Sequence, residues 1–341
     1  MLAKRLPSVR VFVHLTRDCN LRCTYCYSGA KRKERMSLEV GKRIIDFFFT
    51  KADKVVLQFI GGEPLLEYEL LKAIVEYAEM NAATGDATVE FVLVTNGTLL
   101  SREVAEYCAQ HGINCSLSLD GNRDSQDSGR VYASGRGSFA DVERNVASML
   151  ELTPTLHVVS VVHPDNVAHL EESFRYLVEH GFRAISLSPD YTHPRIRHAL
   201  PDIVRQYRAV ARLHAEYQSA GTHVFLNIVP DENCPYTRTR CQFGQQDFSV
   251  APNGDIHACC AFVDHTRFPL GNVYEGFDRA KADEFLTELE KLDRHLTECH
   301  ADCPPNSFCH LGCGCTNLVT TGDLSVVDPV VCELGRLTQA V

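Results

Sequence analysis

The sequence predicts an α/β protein, a partial (β/α)6 TIM-like barrel followed by a loop-rich, cysteine-dense C-terminal domain. Three observations predict it. Short segments rich in β-branched residues alternate with amphipathic segments of helical period through the first two-thirds of the chain. That alternation stops near Pro230. Finally, the 341 residues hold 15 cysteines, ten of them beyond residue 230.

Taken in order, residues 9–15 read as a strand, and 37–50 as a helix with Ser37 as N-cap and Glu39 in its first turn. Residues 54–60 read as a buried strand and 67–83 as a helix. The pattern repeats as strands at 88–95, 114–119, 156–163 and 184–188, with helices at 101–111, 138–152, 167–181 and 201–221. A last strand is expected at 224–229. Strand-then-helix units imply a parallel sheet with helices outside, and chemistry at the C-terminal ends of the strands. The expected domains are 7–229 and 230–341. In the second, 248–250 and 256–259 read as a hairpin around Asn253-Gly254. Residues 279–296 read as one amphipathic helix, and the chain from Cys299 on reads as loop.

Composition narrows the function. Lys plus Arg number 34 against 44 Asp plus Glu, a net charge of −10, which argues against wrapping nucleic acid or lying on anionic lipid. The apolar stretch before residue 15 is short, broken by His14 and followed by no cleavage site, so no signal peptide is expected. No run reaches a membrane span. A cytoplasmic chain of this size does not need disulfides, so its cysteines point to metal or redox chemistry.

Cys19, Cys23 and Cys26 form a C-x3-C-x2-C run just after the first strand. Three thiolates on one loop suit three irons of a [4Fe–4S] cube and leave the fourth iron open to a ligand. Zinc and free thiols are the competing readings. A second set runs Cys234-x6-Cys241-x12-Gly254-x4-Cys259, then Cys299-x3-Cys303-x5-Cys309-x3-Cys313, then Cys332. Two zinc sites, or disulfides, would be the alternatives there.

The first run resembles the cluster loop of the radical S-adenosylmethionine (radical SAM) superfamily, with Tyr25 at the aromatic position before the third cysteine. Gly61-Gly62-Glu63-Pro64 resembles that family's GGE segment. The resemblance implies that the open iron binds SAM, that Glu63 accepts from its ammonium, and that a 5′-deoxyadenosyl radical then takes hydrogen from a substrate. Thr95, Asn96, Ser116, Ser118 and Asp120 resemble pocket-lining segments. Ser116 and Ser118 share one strand face, where a polar surface is costly without a ligand. Arg130 stands where relatives place an arginine near SAM; as bare sequence it is equally a solvated loop residue. Residues 161–163 would flank the adenine or simply be core strand. Lys31-Arg32-Lys33-Glu34-Arg35 reads as a solvated charged loop, with contact to an acidic peptide segment as the alternative.

The second run resembles the SPASM extension of radical SAM peptide and protein maturases, save for x3 where x2 is usual between Cys299 and Cys303. The resemblance implies two auxiliary [4Fe–4S] clusters, one on Cys234, Cys241, Cys259 and Cys313, the other on Cys299, Cys303, Cys309 and Cys332. With the barrel cluster that makes three. Cys108 and Cys115 are expected in the core, and Cys315 is spare. Cys260 stands where the anaerobic sulfatase maturases, similar in layout, carry a catalytic aspartate. A cysteine there puts sulfatase maturation in doubt; it suits a hydrogen-atom donor for epimerisation, with inert packing as the alternative.

The implied activity is therefore modification of a ribosomal peptide or protein by cross-link, thioether, oxidation or epimerisation. The alternatives are radical chemistry on a small metabolite, or a zinc-rich binding protein without catalysis. The implied partners are a flavodoxin- or ferredoxin-type reductant and a peptide or protein substrate. Since the chain as given starts almost at the first strand, no leader-binding domain is expected before it. Either a separate leader-binding protein is expected to present the peptide, or the barrel mouth reads it directly, or the substrate is small.

Overall fold

The computed structural model describes residues 5–29, 31–153, 156–229, 242–263, 268–302 and 313–337, with backbone only for 295–302. Eleven strands form one open sheet in the order β11-β10-β9-β8-β1-β2-β3-β4-β5-β6-β7. Seven belong to the barrel half and run parallel: β1 (Leu6–Thr16), β2 (Ala52–Gly61), β3 (Thr88–Thr95), β4 (Ile113–Ser118), β5 (His157–Val162), β6 (Ala184–Pro189) and β7 (Phe225–Leu226). The helices between them are α1 (Leu38–Phe49), α2 (Tyr68–Thr84), α3 (Arg102–Gln110), α4 (Arg123–Gly129), α5 (Phe139–Leu152), α6 (Leu170–Glu179) and α7 (Ile196–Ser219).

Helix α1 shows how the sequence makes these units. The Ser37 hydroxyl accepts from the Val40 amide, capping the first turn. Val40, Ile44, Ile45 and Phe48 then recur on one face and are buried. Each fully buried side chain of this kind contributes about 1.5–3 kcal/mol. Its basis is the alternation in β1, where Val9, Val11, Val13 and Leu15 are all inside.

Three expectations for the barrel half are corrected. β7 is only two residues long rather than spanning 224–229, which keeps this sheet edge short. Helix α7 begins at Ile196, five residues before Pro201, and carries that proline inside it. Proline was expected to open the helix because it lacks an N–H. Helix α4 forms where no element is expected, and Asn122 caps it by accepting from the Ser125 amide.

The expected boundary near residue 230 falls among residues 230–241, outside those described. Beyond it, β8 (Asp247–Val250) pairs parallel with β1, and β9 (Asp255–His257) turns back antiparallel. The turn between them uses Gly254 at φ +91°, as the Asn-Gly pair predicts. β10 (Pro269–Asn272) and β11 (Gly276–Phe277) complete the sheet. Helix α8 spans Arg279–Asp302, so the backbone of Cys299 is helical rather than loop. No Gly or Pro interrupts the chain before Pro304 to end that helix earlier. Two further helices, α9 (Gly314–Thr321) and α10 (Pro329–Leu337), replace more of the expected loop.

Candidate active site

Strand β1 delivers the chain at Thr16 into the cysteine loop, and backbone bonds close that loop on itself. Arg17 N donates to Glu34 O at 2.9 Å and Met36 N to Leu15 O at 2.8 Å. Helix α4 anchors its other side, with Thr24 N donating to Gly129 O at 3.0 Å and Arg22 N to Val131 O at 2.6 Å. Cys19 is buried; Cys23 and Cys26 are half-buried. Burial raises the Cys19 thiol and pushes Cys23 up to about 11. Burial acts the same way on Cys26, but the Lys31 ammonium, 2.8 Å from its sulfur, and the Ser28 hydroxyl outweigh it and lower its pKa. Lys31 is thus no part of a solvated charged face.

The end of β2 is pressed onto this loop. Gly62 N donates to Thr16 O and Glu63 N to Asp18 O, each at 2.9 Å. A Cβ at Gly62 would overlap the Asp18 carbonyl and stand 3.0 Å from the Cys19 Cβ. One at Gly61, at φ +148°, would overlap the Thr16 carbonyl. Both glycines therefore serve the close approach of β2 to the cysteine loop.

Glu63 is 1% exposed. Its Oε1 accepts from the Thr95 hydroxyl at 2.7 Å and the Leu65 amide at 3.1 Å, and its Oε2 from the Asn96 amide at 2.8 Å. Burial nevertheless pushes its pKa up to about 7. A carboxylate has about four acceptor positions, so one on Oε2 is left for a ligand. Pro64 opens the short 3-10 turn that Glu63 caps. Asn96 also ties β3 to the cysteine loop, donating to Asn20 Oδ1 at 2.9 Å and lying 3.7 Å from the Cys19 sulfur.

At the ends of β4 and β5 lies a second buried network. Asp120, 1% exposed, accepts from Arg130 Nη2 and the Val161 amide, each at 2.9 Å, and from the Tyr25 hydroxyl. Arg130 is 6% exposed, which overturns the solvated reading, and its guanidinium lies 5.3 Å from the Tyr25 ring centroid. The His163 ring, 1% exposed, stands 5.1 Å from the same ring. Arg130 Nε and His163 Nε2 are buried without a hydrogen-bond partner. Ser116 is buried between the neighbouring strand positions Val94 and His157, and Ser118 is half-buried at the strand end.

In the C-terminal half, Cys234, Cys241, Cys303 and Cys309 lie outside the described residues, as does the Cys299 side chain. Cys332 sits on α10 and Cys313 just before α9. The structure brings Cys259 and Cys313 to Cys315, whose thiol hydrogen-bonds to both. Its contact pulls Cys313 down to about 6, and the contacts of Cys260 and Cys315 pull Cys259 well below the usual thiol range. Cys108 and Cys115 are core residues in mutual contact, 1% and 3% exposed. Cys260 lines a shallow cleft with Tyr27, Ser28, Gly61, Gly62 and Arg17. The sequence alone did not single out Tyr27 or helix α4; Asn122 as a cap was the signal for the latter.

Of the donor sets the resemblance implies, the described residues include that of the cysteine loop, and its chemistry suits an iron–sulfur cube. Among the described residues no three His, Cys, Asp or Glu side chains converge to hold one metal ion. Tetrahedral zinc needs such convergence, at Zn–S about 2.3 Å. Thiolates that each take a different iron of a cube do not. The orphaned nitrogens of Arg130 and His163 and the spare Glu63 acceptor suit one polar ligand with both charges. No helix among the described residues is long and apolar enough to cross a membrane.

Comparison with known proteins agrees with this geometry. The profile of the Radical SAM superfamily matches residues 13–177, and that of SPASM, an iron-sulfur cluster-binding domain, matches 241–304. A cysteine-type anaerobic sulfatase-maturating enzyme of Clostridium perfringens is 26% identical over 313 residues, covering 82% of this chain and 83% of its own. An uncharacterised protein of Methanocaldococcus jannaschii is 30% identical over 176 residues, 52% of this chain and 60% of its own. With two further relatives matched over 48% and 40% of their lengths, the chain spans about half of several curated relatives. Native anSMEcpe with bound AdoMet and a peptide superposes with a TM-score of 0.80 at 19% identity, covering 97% of this chain and 96% of that one. Streptococcus suis SuiB bound to S-adenosylmethionine gives 0.66 at 15%, covering 96% and 77%. The chain thus carries a Radical SAM domain over residues 13–177 and a SPASM domain over residues 241–304, on the two halves of one continuous sheet.

Proposed function

We propose that this protein epimerises a residue of a ribosomal peptide or protein, with Cys260 supplying the hydrogen atom that completes the inversion. The observation that carries this reading is the place of Cys260 on the cleft wall beside Gly61, Gly62 and the residues that follow Cys26. A side chain there faces the end of the barrel where the chemistry gathers. The similarity to sulfatase-maturating enzymes supports a peptide or protein substrate.

Each group of the site has a task in this reading. Cys19, Cys23 and Cys26 hold a [4Fe–4S] cluster with one open iron, and the Lys31 ammonium stabilises the Cys26 thiolate. Glu63 accepts from the SAM ammonium, Arg130 and His163 offer their unpartnered nitrogens, and the Tyr25 ring is held in place by Asp120. Thr95 and Asn96 aim the Glu63 carboxylate, and Ser116 and Ser118 present hydroxyls along β4. Bound there, the cluster and SAM supply the radical that takes hydrogen from the substrate carbon. Cys234, Cys241, Cys259 and Cys313, and then Cys299, Cys303, Cys309 and Cys332, hold two auxiliary clusters. A flavodoxin- or ferredoxin-type protein supplies electrons in the cytoplasm, and a separate leader-binding protein presents the substrate.

Anaerobic reconstitution should give about 12 irons per chain, four for each of three cubes. The decisive test uses synthetic peptides encoded by short reading frames beside the gene, with SAM in deuterated buffer. Wild-type product should gain one deuterium at an inverted α-carbon, and Cys260→Ala should lose that product. Inverted, deuterated product forming at the wild-type rate in Cys260→Ala would sink the reading. The metabolite reading has one specific support, 31% identity over 170 residues to an Fe-coproporphyrin III synthase of Methanosarcina barkeri. It predicts peptides left unchanged by enzyme that cleaves SAM.

A further inference from the structure

Residues that directly follow two of the cysteines proposed to hold clusters, one in each half of the chain, meet side chain to side chain. Tyr27 directly follows Cys26, and Cys260 directly follows Cys259. The Tyr27 hydroxyl hydrogen-bonds to the Cys260 sulfur, and both side chains line the same cleft. The thiol is half-buried, whereas Tyr27 is 62% exposed. The phenol therefore has one end on the thiol and a ring that solvent and an external protein can reach.

A thiol that gives up a hydrogen atom becomes a thiyl radical and must be restored before the next turnover. We propose that Tyr27 restores it, as a relay between Cys260 and the external reductant; the inference rests on Cys260 being the hydrogen donor to substrate. In the first step the Cys260 S–H bond breaks and a C–H bond forms on the substrate radical. In the second the Tyr27 O–H bond breaks and the Cys260 S–H bond reforms, leaving a tyrosyl radical. In the third a one-electron donor of the flavodoxin or ferredoxin class reduces the tyrosyl, and water supplies its proton. The sum consumes one electron and one proton for each hydrogen delivered.

The other groups at the cleft do not serve. Aliphatic O–H bonds, as in Thr16 and Ser28, are too strong to give hydrogen to a thiyl radical, while phenol and thiol bonds are close in strength. Cys259 also touches Cys260, but a metal-bound thiolate carries no hydrogen. The His14 ring is engaged with the Ser249 hydroxyl at 2.8 Å.

The test compares reconstituted wild type with Tyr27→Phe, on the peptide the wild type epimerises, in deuterated buffer. Tyr27→Phe should keep the wild-type rate and deuterium label in its first turnover and then stop near one product per chain; single-turnover and burst kinetics separate these phases. A small thiol such as dithiothreitol should restore its later turnovers. Freeze-quenched wild type should show a radical signal that narrows when the enzyme is made with ring-deuterated tyrosine. Steady turnover of Tyr27→Phe at the wild-type rate overturns the relay. So does an equal loss in its first and later turnovers, since Tyr27 would then only position the thiol. Failure of the underlying reading shows separately, as wild-type product without solvent deuterium, and takes the relay with it.

Discussion

At Gly62 a single added methyl group would move the whole cysteine loop, because the position it would occupy is already taken by the Asp18 carbonyl. Gly62→Ala should fold, since the barrel core is elsewhere, but hold about eight irons instead of about 12, with the loss confined to the barrel cluster. An iron assay beside circular dichroism checks this. Glu63 carries a pH signature. Its folded pKa of about 7 lies above the model-peptide value near 4.5 because burial disfavours the charge. The sign follows: its contribution to stability is fully present below about pH 4.5 and is lost as pH rises through about 7. Without SAM, Glu63→Gln should therefore be more stable than wild type at pH 8, on the order of 2–3 kcal/mol, and unchanged near pH 4. Denaturant titrations across pH read this directly. The same variant should bind SAM at least tenfold more weakly, as expected for loss of a charged hydrogen bond. The GGE resemblance made Glu63 legible in the sequence. Its burial, and hence the shift, was not, because Thr95 and Asn96 reach it only across the strand ends.

The seam between β1 and β8 governs behaviour in acid. His14 on β1 bonds Ser249 on β8 at 2.8 Å, and burial drives its pKa down to about 3. A histidine with a depressed folded pKa contributes stability above about pH 6.5 that is lost as pH falls toward 3. The cost is about 1.4 kcal/mol per pH unit between those limits. His14→Gln should flatten that slope by about one proton, measured as unfolding free energy against pH. Elements with one clear apolar period, such as α1 and β1, were legible from sequence. Helix α4 was not, because its seven residues, Arg123-Asp-Ser-Gln-Asp-Ser-Gly129, show no apolar face. Tertiary contacts hold it, with Gly129 against the cysteine loop and Ser125 against Ser173 at 2.6 Å. The start of α7 was missed for the opposite reason, a proline that the rest of a 24-residue helix tolerates.

For the whole molecule, the continuity of the sheet decides how the halves depend on each other. β1 is an interior strand only because β8 lies against it, with Arg10 opposite Asp247 and Val13 opposite Val250. A fragment ending at residue 229 would expose that edge and the apolar face of β1 beside it. It should therefore elute as soluble aggregate in size-exclusion chromatography where the full chain does not.

By itself the sequence determined what depends on spacing along the chain. The strand-helix period predicted a parallel sheet, and the cysteine intervals set Cys19, Cys23 and Cys26 on one loop, since residues a few positions apart must be neighbours. Tertiary structure alone decided what depends on segments far apart. It put Lys31 on Cys26, buried Arg130 against Asp120, gathered Cys315 with Cys259 and Cys313, and set Tyr27 against Cys260, 233 positions apart in the numbering. The physical reason is that periodicity and propensity are local, whereas burial and charge pairing are set by whatever the fold brings alongside.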